Sequence, residues 1–127
     1  MRNRWLCVLA LAGGMLAAGT AFAHHGTAGY DMGKTLTLSG TVTRYDWSNP
    51  HVVVYMDAKD PSGHTQHWTL ELSPPLLLER VGWSKNSMKP GDQVVAETHP
   101  SKNGAPVGVS GTSTFQMKFV VNGTPLP

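Results

Sequence analysis

Cysteine is nearly absent from this chain of 127 residues, and the single one, Cys7, lies inside an apolar run near the beginning. No pair of cysteines is available to form an intramolecular disulfide, although small exported domains often depend on such bonds. We therefore expect burial of apolar side chains and pairing of backbone groups to stabilise the fold.

A hydrophobic run long enough to cross a membrane is also absent. Arg2 and Arg4 precede an apolar run that is shorter than the ~20 residues a spanning helix requires. The small residues Ala21 and Ala23 then form an A-x-A cleavage site. The first 23 residues are thus typical of a secretory signal peptide, and we expect cleavage after Ala23 and no membrane attachment afterwards.

An excess of charge is lacking in the expected mature chain. Removal of Arg2 and Arg4 leaves eight basic and eight acidic side chains, whereas a nucleic-acid partner requires a basic surface. The motifs G-x-S-x-G and H-E-x-x-H and a phosphate-binding glycine loop are missing as well. These absences disfavour nucleic-acid binding and the commonest hydrolytic chemistries.

Alternation of apolar and polar residues predicts three strands. The first covers residues 36–47, and Gly40 within it predicts a bulge or sharp coil. Asn49-Pro50 ends this strand, because proline has no N–H to donate. Residues 51–57 and 66–72 predict the second and third strands, joined by a turn.

The register of this hairpin decides which side chains face the core, since a slip of one residue moves every side chain to the other face. We expect Val52, Val54 and Met56 to point inward. The outer face then carries His51, Tyr55, His67 and Glu71.

A short helix is predicted after the third strand. Ser73 is the expected N-cap, prolines occupy the first turn, the helix covers residues 75–81 and Gly82 ends it. One further helical turn is expected over residues 84–88.

Two more strands are predicted after the helix. Residues 89–92 form a turn with proline and glycine at its centre, which leads into a fourth strand over 93–98. A weaker fifth strand lies within residues 106–115. Residues 118–127 are expected to form a tail, in which Asn122-Gly123 favours a small hairpin.

The order of these elements predicts an all-β protein, a small five-stranded OB-like barrel with one short helix between strands 3 and 4. A small β-sandwich is the alternative. The predicted organisation is a signal peptide (1–23), an N-terminal arm (24–35), a barrel domain (36–117) and a C-terminal tail (118–127).

Distinct short motifs lie along the mature chain: His24-His25-Gly26, Tyr30-Asp31, Gly40-Thr41-Val42, Trp47-x-Asn49-Pro50-His51, Glu71-Leu72, Pro75, Leu78-x-Arg80-x-Gly82-Trp83 and Lys89-Pro90-Gly91-Asp92. Together they resemble a family of small exported bacterial proteins of unknown function. The resemblance covers residues 24–98, and it implies a periplasmic or secreted protein. It implies no activity.

The strongest chemical signal is the histidine pair at the expected new terminus. Cleavage after Ala23 leaves the α-amine and the imidazole Nδ1 of His24 free to close a six-membered ring on a metal ion. Both donors lose their protons at modest cost near neutral pH. His25 adds another imidazole and a backbone amide. Nitrogen-rich sites without thiolate favour Cu(II) over Ni(II) and Zn(II), so copper is the expected ion.

A third ligand has to come from the barrel. His51 is the first choice because the preceding Asn49-Pro50 forms a rigid corner, and His99 is the next. Met32 and Met117 could donate thioethers to Cu(I), although methionine more often only packs. The opposing interpretation is a solvated terminus and a His51 that hydrogen-bonds a backbone carbonyl. His64 and His67 are not expected to act as a pair, because residues three apart in a strand point to opposite faces.

The sequence thus predicts a non-enzymatic metal-binding protein of the periplasm, with copper as the ion and another periplasmic protein as a further partner. One alternative is an OB-type binding module for a protein or an oligosaccharide, which would use Tyr55, His67 and Glu71. Another is a copper-dependent oxidant, which is disfavoured because an exposed site on a small domain predicts no substrate cleft.

Overall fold

The computed structural model describes residues 26–111 and 118–127 of the chain. A short 3-10 helix, Thr27–Gly29, precedes the sheet, and one α-helix, α1 (Pro75–Arg80), interrupts it. The strands are β1 (Leu36–Asp46), β2 (Val53–Lys59), β3 (Thr65–Glu71), β4 (Gln93–Pro100), β5 (Val107–Val109), β6 (Phe119–Val121) and β7 (Thr124–Pro125). No helix in these two described segments has the length and apolar character needed to cross a membrane.

Strands β1 to β5 close into a barrel. β1 pairs antiparallel with β2 and with β4, and β2 pairs antiparallel with β3. β5 closes the ring, because it runs parallel to β3 and antiparallel to β4. The predicted OB-like barrel with one short helix between strands 3 and 4 is confirmed.

The first strand has to bend, because its two halves contact different neighbours. Gly40 pairs with β2 and with β4 at once. A Cβ atom at this position would collide with the backbone carbonyl oxygen of Asp57. The bulge itself lies three residues further on, where the register shifts between Val42 and Arg44. Gly40 is thus a point of close strand approach, and the bulge occurs outside the position that the sequence indicated.

The barrel core follows the predicted inward register. Val52, Val54 and Met56 are fully buried. On the neighbouring strand, Leu70 pairs with Val54 and Trp68 pairs with Met56. Because alternate residues of both strands are buried, the hairpin presents one apolar face to the core and its other face outward.

The entry to helix α1 differs from the prediction. Ser73 does not cap the helix, since its hydroxyl donates to the carbonyl oxygen of Gly111 and Pro74 occupies the cap position without a side-chain hydrogen bond. Proline does occupy the first turn, and Gly82, with φ +95°, follows the helix end as expected. The segment predicted as a further helical turn is an ordinary turn, in which the Ser87 N–H donates to the Ser84 carbonyl.

The C-terminal segment extends the sheet. β6 pairs antiparallel with β4, and Asn122-Gly123 forms the tight turn to β7 with positive φ at both residues. Phe119 is buried and contacts Trp83 edge to face, with ring centroids 5.1 Å apart. The hairpin suggested by Asn122-Gly123 is therefore present, and the residues described as a tail contribute to the core.

Candidate functional site

An open cleft of about 780 Å³ lies beside the barrel. It is bordered by the N-terminal arm at Gly26 and Tyr30, by His51 ahead of β2, by Leu77 of α1 and by the β4–β5 connection around residues 101–105. The expectation that this domain has no cleft is therefore wrong. The local sequence gave no sign of the cleft because its walls come from four separate parts of the chain.

Backbone hydrogen bonds hold the arm against the end of β4. The Asp31 N–H donates to the Pro100 carbonyl over 2.8 Å, and Tyr30 forms an isolated antiparallel bridge with Ser101. Lys102 contributes twice, since its N–H donates to the Gly29 carbonyl over 3.0 Å and its Nζ donates to the Ala28 carbonyl over 2.9 Å. The arm is thus attached to the barrel from residue 28 onwards.

His51 presents one imidazole nitrogen to this cleft. Its Nδ1 lies 3.0 Å from the carbonyl oxygen of Leu72. A carbonyl oxygen only accepts hydrogen bonds, so Nδ1 carries the hydrogen and Nε2 is left for another contact. Nε2 lies 3.5 Å from Oε1 of Glu71. A backbone bond at one nitrogen that orients the other is the arrangement found for metal-binding histidines.

Glu71 is the acidic group of the cleft. It stands at the end of β3, paired with Val53 of β2 on one side and with Val109 of β5 on the other. The Tyr30 hydroxyl donates to its Oε2 over 3.3 Å. Partial burial, followed by the charge of Glu71 and this hydrogen bond, raises the pKa of Tyr30. The phenol therefore stays protonated and able to donate.

Of the two predicted histidine ligands that the structure describes, one borders the cleft and the other does not. His51 borders it, whereas His99 is buried on β4 outside its lining, with Nδ1 2.7 Å from the Lys34 carbonyl. His24 and His25 lie outside the described residues, as does Met117. Gly26, the residue that follows His25, borders the cleft.

The remaining histidines have separate polar partners. His67 Nδ1 lies 2.6 Å from Asp57 Oδ1, across the β2–β3 pair. His64 Nδ1 lies 2.8 Å from the Ser62 hydroxyl and 3.8 Å from Asp60 Oδ2, in the turn between the same strands. His64 and His67 thus contact different acidic residues. Within residues 26–111 and 118–127, no group of three or more His, Cys, Asp or Glu side chains could hold a metal ion.

The alternative surface on the outside of β2 and β3 is only partly connected with the cleft. Tyr55 lies under Arg44, whose guanidinium carbon is 5.0 Å from the ring centroid, and Arg44 also pairs with Asp46. Neither Tyr55 nor His67 borders the cleft, whereas Glu71 does. The three residues grouped by the strand pattern therefore lie in two different places, Glu71 at the cleft and Tyr55 and His67 outside it.

Sequence reasoning did not assign Tyr30 and Glu71 to the site of His51. Glu71 was expected on the same outer face as His51 but was not named as a ligand, and Tyr30 appeared only within a motif. The β2–β3 register explains why Glu71 lies close to His51. Val53 pairs with Glu71, so the residues just before β2 lie near the end of β3. Tyr30 could not be located in this way, because the arm has no periodic pattern.

These features define a small OB-type barrel whose N-terminal arm borders a cleft with a histidine and a glutamate. The chain belongs to the family of unknown function DUF6152, whose model matches residues 14–111. No curated protein and no solved structure matches it. The resemblance noted from the sequence motifs is thus confirmed at the level of the family.

Proposed function

We propose that this protein is exported to the periplasm and binds a copper ion there, without catalysing a reaction. His24 is the bidentate anchor, and His25 and His51 complete the nitrogen ligands. The observation that carries this proposal is the approach of the arm: Gly26 borders the same cleft as His51. A terminal anchor and a barrel ligand need such proximity to act on one ion.

The chain length between the arm and the proposed anchor supports the same conclusion. The arm is attached to β4 from Ala28 onwards, by the side chain and backbone of Lys102. Two residues of extended chain span about 7 Å at most, so His24 stays within that distance of Gly26 along the backbone. An anchor on so short a tether has a high effective concentration at the cleft.

The hydrogen bond that fixes the tautomer of His51 supports its role as the third ligand. Because the Leu72 carbonyl accepts from Nδ1, the lone pair of the neutral imidazole resides on Nε2. Metal-binding histidines commonly donate their other N–H to a backbone carbonyl, which fixes the tautomer and the ring orientation. His99, in contrast, is buried away from the cleft and is not part of the proposed site.

The choice of copper follows from the donor set. Two imidazoles of the terminus, its α-amine and His51 supply only nitrogen, and no thiolate exists in the mature chain. Such sites bind Cu(II) most tightly among the divalent first-row ions. Zn(II) and Ni(II) are expected to bind in the same place with lower affinity.

The test is a Cu(II) titration of mature protein whose first residue is His24, prepared by a protease that leaves no extra residue. Acetylation of the His24 α-amine removes that donor, and His51→Gln removes the barrel ligand. His67→Gln is the matched control, because this exposed histidine lies outside the cleft. Equal Cu(II) affinity in the free and the acetylated forms contradicts the anchor assignment.

The size of the cleft favours a second candidate function, an OB-type module that binds a protein or an oligosaccharide. About 780 Å³ is the size of a small-molecule pocket and exceeds the needs of an ion. Exposed Leu77 of α1 adds an apolar wall. Capture of a periplasmic partner that is lost with Leu77→Ser but retained with His24→Ala supports this candidate over copper binding.

A further inference from the structure

The part of the arm that borders the cleft contributes almost nothing to the core. Residues 26–29 are all exposed, and the 3-10 helix Thr27–Gly29 contains no buried residue. A Cβ atom added at Gly26 or Gly29 would meet no atom within 4 Å, so open space lies beside the backbone there. Apolar burial, which stabilises the barrel strands, therefore does little to attach this segment.

Backbone hydrogen bonds attach the segment to the end of β4 instead. The Asp31 N–H donates to the Pro100 carbonyl over 2.8 Å, and the Lys102 N–H donates to the Gly29 carbonyl over 3.0 Å. Segments that are held by exposed hydrogen bonds and have few apolar contacts open locally at a lower free energy than strands of the core. The arm is thus expected to detach while the barrel stays folded.

Two side chains add to this attachment. Lys102 Nζ donates to the Ala28 carbonyl over 2.9 Å, and the Tyr30 hydroxyl donates to Oε2 of Glu71 over 3.3 Å. The lysine makes the shorter contact, and its ammonium group is a charged donor, which forms the stronger kind of hydrogen bond. Lys102 is therefore the principal side-chain attachment of the segment.

The chain beyond Asp31 has a firm base. His99 is buried on β4, and its Nδ1 lies 2.7 Å from the Lys34 carbonyl, shortly before β1 begins. Met32 and Gly33 connect this base to Asp31 in a turn, which the Lys34 N–H closes by donating to the Asp31 carbonyl. Glycine adopts more backbone conformations than any other residue, so Gly33 is the natural hinge.

We propose that residues 26–31 form a strap that detaches from the barrel as one unit, turns about Gly33 and is latched by Lys102. Because Gly26 and Tyr30 border the cleft, detachment removes one of its walls and widens the entrance for a ligand. The attached strap is the major state and the detached strap a minor one. This inference concerns the metal-free protein and does not depend on the copper function.

The experiment is native-state hydrogen exchange of the mature protein without metal, followed by NMR in dilute denaturant. The amides of Asp31 and Lys102 report on the strap. The Leu72 N–H, which donates to the Val52 carbonyl, reports on the barrel. Lys102→Met removes the latch, and Lys85→Met is the matched control, because this exposed lysine lies outside the cleft lining.

The two strap amides should show the same protection, nearly independent of denaturant and at least about 100-fold lower than that of Leu72. In Lys102→Met the Asp31 amide should exchange about 10-fold faster, since a hydrogen bond from a charged donor is lost. The Leu72 amide should not change. Lys85→Met should match the wild type throughout.

A disulfide across the seam supplies a second test. Tyr30 and Ser101 form an antiparallel bridge flanked by the two backbone hydrogen bonds. Such a pair has Cα atoms about 4.5 Å apart, within the range for a disulfide. The expected mature chain contains no other cysteine. In Tyr30→Cys/Ser101→Cys, oxidation should protect the Asp31 amide strongly, and reduction should restore its fast exchange.

Any of three results overturns the inference. The first is protection of Asp31 equal to that of Leu72, which would make the strap part of the barrel. The second is different protection of Asp31 and Lys102, which would mean fraying instead of a single opening. The third is exchange of Asp31 that neither Lys102→Met nor the disulfide alters. None of these results bears on the Cu(II) titration, so the strap and the copper function can fail separately.

Discussion

Nε2 of His51 faces Oε1 of Glu71 across 3.5 Å at the cleft that the arm also borders. His51 precedes β2 and Glu71 ends β3, and the β2–β3 register, in which Val53 pairs with Glu71, brings them together. Their neighbours are also paired, because the Leu72 N–H donates to the Val52 carbonyl and the Val52 N–H donates to the Ser73 carbonyl. The histidine and the carboxylate are thus held by the pairing of β2 with β3.

Copper should stabilise the native-terminus protein, and this effect should depend on His51. A ligand at 100 times its Kd adds about 2.7 kcal/mol to the free energy of unfolding. His51→Gln should bind Cu(II) about 100-fold more weakly and lose most of this gain. Denaturation with and without Cu(II) measures both values. A full copper-dependent gain in His51→Gln contradicts the role of His51.

Gly40→Ala should destabilise the barrel by about 1–3 kcal/mol or more, the typical result of overpacking. The new methyl group meets the Asp57 carbonyl oxygen, and that backbone atom belongs to a paired strand that cannot simply move away. Urea denaturation measures the loss. Gly29→Ala is the matched control, because a Cβ atom there meets no atom within 4 Å. Equal stability of the two variants contradicts the close approach at Gly40.

The fold could be predicted largely because its central hairpin and its turns are locally encoded. Val52, Val54 and Met56 show their inward face by period two, and Asn122-Gly123 specifies a turn with positive φ at both residues. Such signals depend on residues that are close in sequence.

The candidate site could be predicted only in part, because it depends on distant contacts. The parallel pairing of β5 with β3 and the bridge between Tyr30 and Ser101 leave no periodic trace. Ser73 shows the same limit, since its hydroxyl bonds Gly111, 38 residues away, instead of the helix that its position suggested. His51 was proposed as a ligand from a local motif, whereas the strand pattern placed Glu71 only on the same outer face.

Stability should fall at acid pH partly through Asp92. A hydrogen bond from the Asn122 amide, aided by the Lys89 N–H, lowers the pKa of this carboxyl group in the folded state. A lowered folded pKa gives stability that is present above the unfolded pKa and is lost as the pH falls through the folded value.

Asp92→Asn should therefore cost about 1–2 kcal/mol at pH 7 and reduce the further loss below about pH 5. Urea denaturation between pH 7 and pH 3 measures the free energy of unfolding of each variant. Asn122→Ala removes the donor of the same hydrogen bond and should also weaken the pH dependence. An unchanged slope in both variants would show that the bond between Asp92 and Asn122 has no such role.

The C-terminal hairpin should be necessary for stability. Phe119 is buried and packs edge to face on Trp83, while Trp83 Nε1 donates to the Pro127 carbonyl over 3.0 Å. Phe119→Ala should cost about 3–5 kcal/mol and alter the tryptophan fluorescence of the native state. Val120→Ala on the outer side of β6 is the control and should cost much less. A small loss for Phe119→Ala would contradict this packing.

The most direct test of the proposed copper site is a set of 1H–15N spectra of protein that begins at His24. Substoichiometric Cu(II) is added, and the amide signals that broaden first are identified. The paramagnetic ion should first remove the signals of Gly26, His51 and Glu71 around the cleft, and leave those of His64 and His67 intact. Broadening centred on His64 and His67, with sharp signals at His51 and Glu71, would contradict the proposed site.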